Sequence, residues 1–143
     1  MLTKEDVVQK FKEGVDCSMV VLAAVADDIG ITKDMAYRIA SCFGAGMSVG
    51  GVCGAVTGGL MAIGIKHGNS KENDLAQKEI LISKRNEFLE RFKKAHESVN
   101  CPVLLGANLR DAEQRFYAHR NGTIDNECPR FCITAVQLLK EIL

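Results

Sequence analysis

The sequence predicts an all-α fold: a bundle of about six or seven helices, with a Gly-rich loop leading into a central apolar helix. Two observations carry this. Apolar residues recur at helical spacing, most clearly Leu75, Ile82 and Leu89 beside Leu81, Phe88 and Phe92. Period-2 alternation bounded by turn residues, the mark of strands, is absent. At 143 residues, 47% of them hydrophobic, the chain has material for one core and reads as a single helical domain over residues 1–143.

The elements follow in order. Thr3-Lys-Glu-Asp6 forms a capping box, and Val7, Val8 and Phe11 give a first short helix an apolar face that ends at Gly14. Asp16 caps a second helix through Asp28, stopped at Gly30. Thr32 caps a third, to about Ser41, with Met35, Ile39 and Ala40 inward. The Gly-rich stretch 44–51 leads into a helix from about Cys53 to His67, closed by Gly68. Ser70 begins the longest periodic segment, which runs to about Ser98. A short apolar turn after Cys101-Pro102 precedes a helix around Leu109–His119. The last helix runs from Pro129, suited to a first turn, to Leu143.

Charge excludes one class of partner. Lys+Arg and Asp+Glu balance at 18 each, so no basic excess drives binding to nucleic acid. The N-terminus lacks the basic, apolar, small-residue order of a signal peptide, which points to a cytoplasmic chain in a reducing compartment. Cysteines there are catalytic, metal-bound or buried more often than paired. Ile39–Ile65 contains no charged residue and is long enough to span a bilayer. It is dense in Gly, Ser and Thr, however, and no membrane span is expected. Gly50, Gly54 and Gly58 are read instead as letting a neighbouring helix, or a second copy in a homodimer, approach closely.

The six cysteines are the most informative residues. Cys17, Cys53, Cys101 and Cys128 each stand where a helix is expected to begin. Unpaired N–H groups and a partial positive charge there favour thiolate, the form that attacks disulfides and ligates metals. Cys53, between a Gly-rich loop and a helix start, is expected to be the most activated, reacting faster than Cys42. Cys42 and Cys132 sit among apolar neighbours and read as small buried hydrophobes. Cys128 and Cys132, spaced i, i+4, face one side of the last helix: a dithiol, two ligands, or one functional cysteine above one buried one.

Other motifs add little. No C-x-x-C or C-x-x-C-H occurs, so a thioredoxin-type pair, a zinc knuckle and covalent haem lack local support. Gly44-x-Gly46-x-x-x-Gly50 loosely resembles a dinucleotide-binding turn, but a helix rather than a strand precedes it. Such a loop is better suited to wrapping backbone N–H groups around a thiolate or anionic cluster. His67, His96 and His119 read as solvated helix-end residues. No catalytic residues can be assigned, and whether the chain is an enzyme is left open.

Phe11-x-x-Gly14-x-x-Cys17, the block Cys53-Gly-Ala-Val-Thr-Gly58 behind the Gly-rich loop, and isolated Cys101 and Cys128 resemble the redox-active protein family named for its C…GCAxxG…C…C pattern. The glycine before Cys53 is Gly51, one residue further back than that label implies. The resemblance spans nearly the whole chain. It implies a small helical redox-type domain of anaerobe-type bacteria and archaea. A related domain of split-Soret-type cytochromes accompanies an iron–sulfur centre and haems; their haem-attaching part has no counterpart here. Carried over residue by residue, the family cysteines are Cys17, Cys53, Cys101 and Cys128, with Cys42 and Cys132 outside the pattern.

Four such thiolates suit an iron–sulfur cluster of unspecified type, which takes Cys₄ ligation, serving electron transfer with a redox partner. The alternatives are a thiol/disulfide redox protein without metal, a structural zinc site, and a non-enzymatic helical adaptor.

Overall fold

The computed structural model describes residues 1–143. Nine α-helices and one irregular π-type turn make up the fold, and no strand forms beyond a single antiparallel bridge. The helices are α1 (Lys4–Lys12), α2 (Cys17–Ala24), α3 (Ala26–Ile29), α4 (Lys33–Ala40), α5 (Gly54–His67), α6 (Leu75–His96), α7 (Cys101–Leu105), α8 (Ala112–Arg120) and α9 (Thr123–Ile142); the turn spans Gly46–Gly50. The count exceeds six or seven for a local reason. The expected second helix breaks at Val25 into α2 and α3, and the apolar segment after Asn100 closes into its own short helix.

Side-chain caps set several boundaries. The Thr3–Asp6 box starts α1, and the Thr32 hydroxyl accepts the Met35 N–H at 3.1 Å at the start of α4. Asp74 accepts the Gln77 N–H at 3.1 Å, so α6 begins at Leu75 rather than Ser70. The start of α9 differs most from expectation. The helix begins after Gly122, which adopts φ 83°, and Pro129 lies inside it. Buried Ile124 extends the face formed by Phe131, Cys132, Ala135, Leu139 and Ile142, and its burial outweighs the hydrogen bond that Pro129 cannot donate.

The uncharged run Ile39–Ile65 is divided among the end of α4, the turn and α5, and no helix is long and apolar enough to cross a membrane. Helix α5 is the central element, packed by α2, α6 and α9. Gly54, Gly58 and Gly59 are used within the chain. A Cβ at Gly58 would stand 2.6 Å from the Ser18 carbonyl oxygen, and one at Gly59 would overlap the Phe88 ring. Ser18, wholly buried against α5, satisfies its hydroxyl by donating to the Ala40 carbonyl at 2.8 Å.

Candidate functional site

A cavity of about 350 Å³ opens between α1, α2, α5, α7, α8 and α9. Cys17, Cys53, Cys101 and Cys128 all line it. Each is delivered differently. Cys17 is the first residue of α2, and its sulfur is pressed onto the bare Cα of Gly54, where any Cβ would overlap it. Cys53 caps α5 and Cys101 opens α7.

Two backbone hydrogen bonds align that pair: the Cys53 N–H donates to the Val99 carbonyl at 2.8 Å, and the Cys101 N–H donates to the Gly51 carbonyl at 2.9 Å. They flank the antiparallel bridge between Val52 and Asn100. Alternation along the strands therefore turns Cys53 and Cys101 to the same face. Cys128 comes from the second turn of α9, not from a helix start, because Thr123–Glu127 are already helical.

The loop before α5 closes over the same place. Ala45, Gly46, Met47 and Ser48 are all left-handed, with φ between 53° and 64°. Three are not glycine, and that conformation costs each about 1–2 kcal/mol. Gly46 cannot be replaced without collision: a Cβ there would lie 3.0 Å from the Cys101 Cβ and 2.8 Å from the Gly51 nitrogen. This turn brings the Ala45 backbone to the Cys17 sulfur, and the Ala55 and Val56 backbone reaches Cys53. This arrangement of backbone groups favours the thiolate at two of the four cysteines, Cys17 and Cys53.

Its electrostatic outcome is the reverse of the one expected. Burial pushes the Cys53 thiol from 9.0 up to about 12, with the neighbouring Cys17 adding to the shift while Ala55 and Val56 oppose it. Cys101 rises to about 11 through burial and then Cys17. Cys17 and Cys128 are also raised, chiefly by burial. Helix-start donors act in the predicted direction, but loss of water outweighs them. Cys53 and Cys101 are each only 6% exposed. In the metal-free protein these are protonated thiols rather than activated thiolates.

The other two cysteines separate. Cys132 is wholly buried, as expected, whereas Cys42 is exposed because α4 ends at Ala40 and leaves it in a turn. In reduced, metal-free protein near neutral pH, iodoacetamide should therefore label Cys42 first, and Cys53 and Cys101 only slowly. Labelling of Cys53 as fast as Cys42 would contradict the burial argument.

The remaining lining could not be assigned from spacing. Phe11, Leu104, Leu105, Leu109, Ile124 and Phe131 form apolar walls, and Lys12, Asp16, His119 and Asp125 bring charge or polarity. His119 is an exposed residue, as expected, but it borders the cavity. His96 and His67 are not simply solvated. The Nε2 atom of His96 lies 2.8 Å from the Thr134 hydroxyl, with its ring against Phe92 and Phe131, and Nε2 of His67 is buried without a partner. Neither lines the cavity. The i, i+4 spacing of Cys128 and Cys132 was the one available signal for depth: the first faces the cavity and the second lies behind it.

No group of three or more His, Cys, Asp or Glu side chains stands at the spacing of a single-ion site. No curated protein and no solved structure matches the chain. Residues 15–142, which include every cavity-lining cysteine, match the model of the family described as "Putative redox-active protein (C_GCAxxG_C_C)", and the chain belongs to that family.

Proposed function

We propose that the protein is a cytoplasmic electron-transfer protein whose iron–sulfur cluster is held by the thiolates of Cys17, Cys53, Cys101 and Cys128. The observation that carries this reading is the gathering of four thiols from four separate segments around one cavity of about 350 Å³. The donor set fits: iron–sulfur clusters take four cysteine sulfurs. Separation in sequence favours a cluster over structural zinc, whose ligands usually come in close C-x₂₋₄-C pairs that these four cysteines do not form.

A bound cluster would supply one-electron exchange. The chain's own residues do the rest. Phe11, Leu104, Leu105, Ile124 and Phe131 keep water from the sulfurs, and backbone groups of Ala45, Ala55 and Val56 offset negative charge at Cys17 and Cys53. Each thiol releases its proton when it becomes a ligand, so loading is favoured by rising pH.

Purification without oxygen, or reconstitution with ferrous iron and sulfide, should give a brown protein containing iron and acid-labile sulfide in similar amounts. Cys101→Ser should lower the iron bound per chain, and Cys42→Ser should leave it unchanged. Zinc alone, or no iron under either procedure, would overturn the reading.

A further inference from the structure

We infer that Cys132 is a fifth working thiol: when the cavity is empty it captures Cys17 as a disulfide and holds the site in an oxidised, reversible store. This rests on the proposed function only in taking Cys17 as a ligand. Cys132 does not line the cavity. It is wholly buried on α9, one turn beyond Cys128, with its sulfur 3.9 Å from the carbonyl oxygen of Cys17. Every other residue of its buried face on α9 is apolar or Pro.

Geometry selects the partner. Residues i and i+4 of a helix hold their Cβ atoms about 5–6 Å apart, whereas a disulfide needs about 3.5–4.5 Å. Cys128 and Cys132 therefore cannot join while α9 stays helical. Cys17 belongs to another helix, its backbone already touches the Cys132 sulfur, and it reaches the cavity from its other side. One rotation of its side chain moves the sulfur away from Gly54.

The oxidant is a small-molecule disulfide such as glutathione disulfide, which meets Cys17 where this half-buried residue lines the cavity. The Cys17 sulfur attacks one sulfur of the oxidant, loses its proton, and releases one glutathione thiol. A mixed disulfide remains on Cys17. The Cys132 sulfur then attacks the Cys17 sulfur; the second glutathione leaves and takes up the Cys132 proton. Two cysteine thiols have lost two electrons and two protons, and one glutathione disulfide has become two thiols. The bridge withdraws one ligand from the set and shields Cys17 from irreversible oxidation. Reduction restores it.

Tryptic mapping tests this directly. Cleavage at Arg130 separates Cys128 from Cys132, and Cys17 is the only cysteine of fragment 13–33. Reduced, metal-free protein is treated with glutathione disulfide at mildly alkaline pH, then unfolded in urea with iodoacetamide present to trap every remaining thiol, and digested. The expected product joins fragment 13–33 to fragment 131–140. In Cys132→Ala, or Cys132→Ser if the alanine variant does not fold, Cys17 should carry glutathione instead. Fragment 131–140 recovered wholly alkylated, or Cys17 bridged to fragment 39–66, 95–110 or 121–130, overturns the inference.

A second arm separates this from the cluster reading. The oxidised protein is offered ferrous iron and sulfide before and after reduction with dithiothreitol. Uptake only after reduction is expected, and equal uptake in both overturns the storage role. A mapped Cys17–Cys132 bridge with no iron uptake by reduced protein defeats the cluster reading and leaves the bridge standing.

Discussion

Reduced, metal-free protein should lose stability steeply as pH rises from 9.0 towards 12, and Cys53 should be a principal cause. The unfolded chain releases the Cys53 proton near 9.0, whereas the folded chain keeps it to about 12. Between those values the folded state holds more protons than the unfolded one, so stability falls as pH rises. The stabilisation is complete below 9.0 and is spent by about 12. At about 1.4 kcal/mol per pH unit the window corresponds to at most about 4 kcal/mol, a large part of the roughly 5–15 kcal/mol that holds a domain folded. Cys101, raised to about 11, acts in the same sense over a narrower range. The measurement is a comparison between variants. Urea midpoints across this pH range should fall less in Cys53→Ala than in the parent. Parallel profiles would mean that Cys53 is not held protonated by the fold.

Gly54→Ala should damage both the bundle and the site. The added Cβ would overlap the Cys17 sulfur and stand 3.1 Å from the Gly44 Cα and the Ser18 nitrogen. The sulfur can rotate away, but the backbone atoms cannot, so α2 and α5 must separate. Overpacking of this kind costs about 1–3 kcal/mol. Iron bound per chain should fall as Cys17 leaves its position on the cavity wall. Chemical denaturation and iron analysis of the same preparation check the two effects together. An unchanged midpoint with full iron content would show that the close approach at Gly54 has no consequence.

Much of the fold is legible in the sequence because it is locally encoded. Thr3, Asp6 and Thr32 announce their helices through caps that need no tertiary partner. Gly54 and Gly58 signal that α5 is closely approached, though not by which helix. The start of α9 is hidden because Pro129 carries a strong local boundary signal, while the benefit of extending the helix to Thr123 lies in burying Ile124 against distant residues. The break at Val25 carries no Gly or Pro to mark it.

The candidate site divides along the same line. That four cysteines form a set is written in their family pattern. Their ionisation is not, because it depends on a contest between two effects of which sequence displays one. Helix-start placement can be read residue by residue; the desolvation that overrides it at Cys53 and Cys101 exists only once α1, α7 and α9 have closed around the sulfurs. Cys42 shows the converse. Its apolar neighbours suggest a core position, but α4 stops at Ala40 and leaves it outside.

The dispersal of the cavity cysteines has a biosynthetic consequence. Cys17, Cys53 and Cys101 leave the ribosome one at a time, each without a second cysteine within a few residues. Until Cys128 and Cys132 emerge, a nascent chain therefore presents no local chelate to free iron or zinc. Cys128 arrives with α9, the helix that packs on α1, α2, α5, α6, α7 and α8. Its docking completes the bundle and the cavity wall in one event. The four-thiol cavity is thereby confined to copies that have already folded, and a chain that misfolds never assembles it.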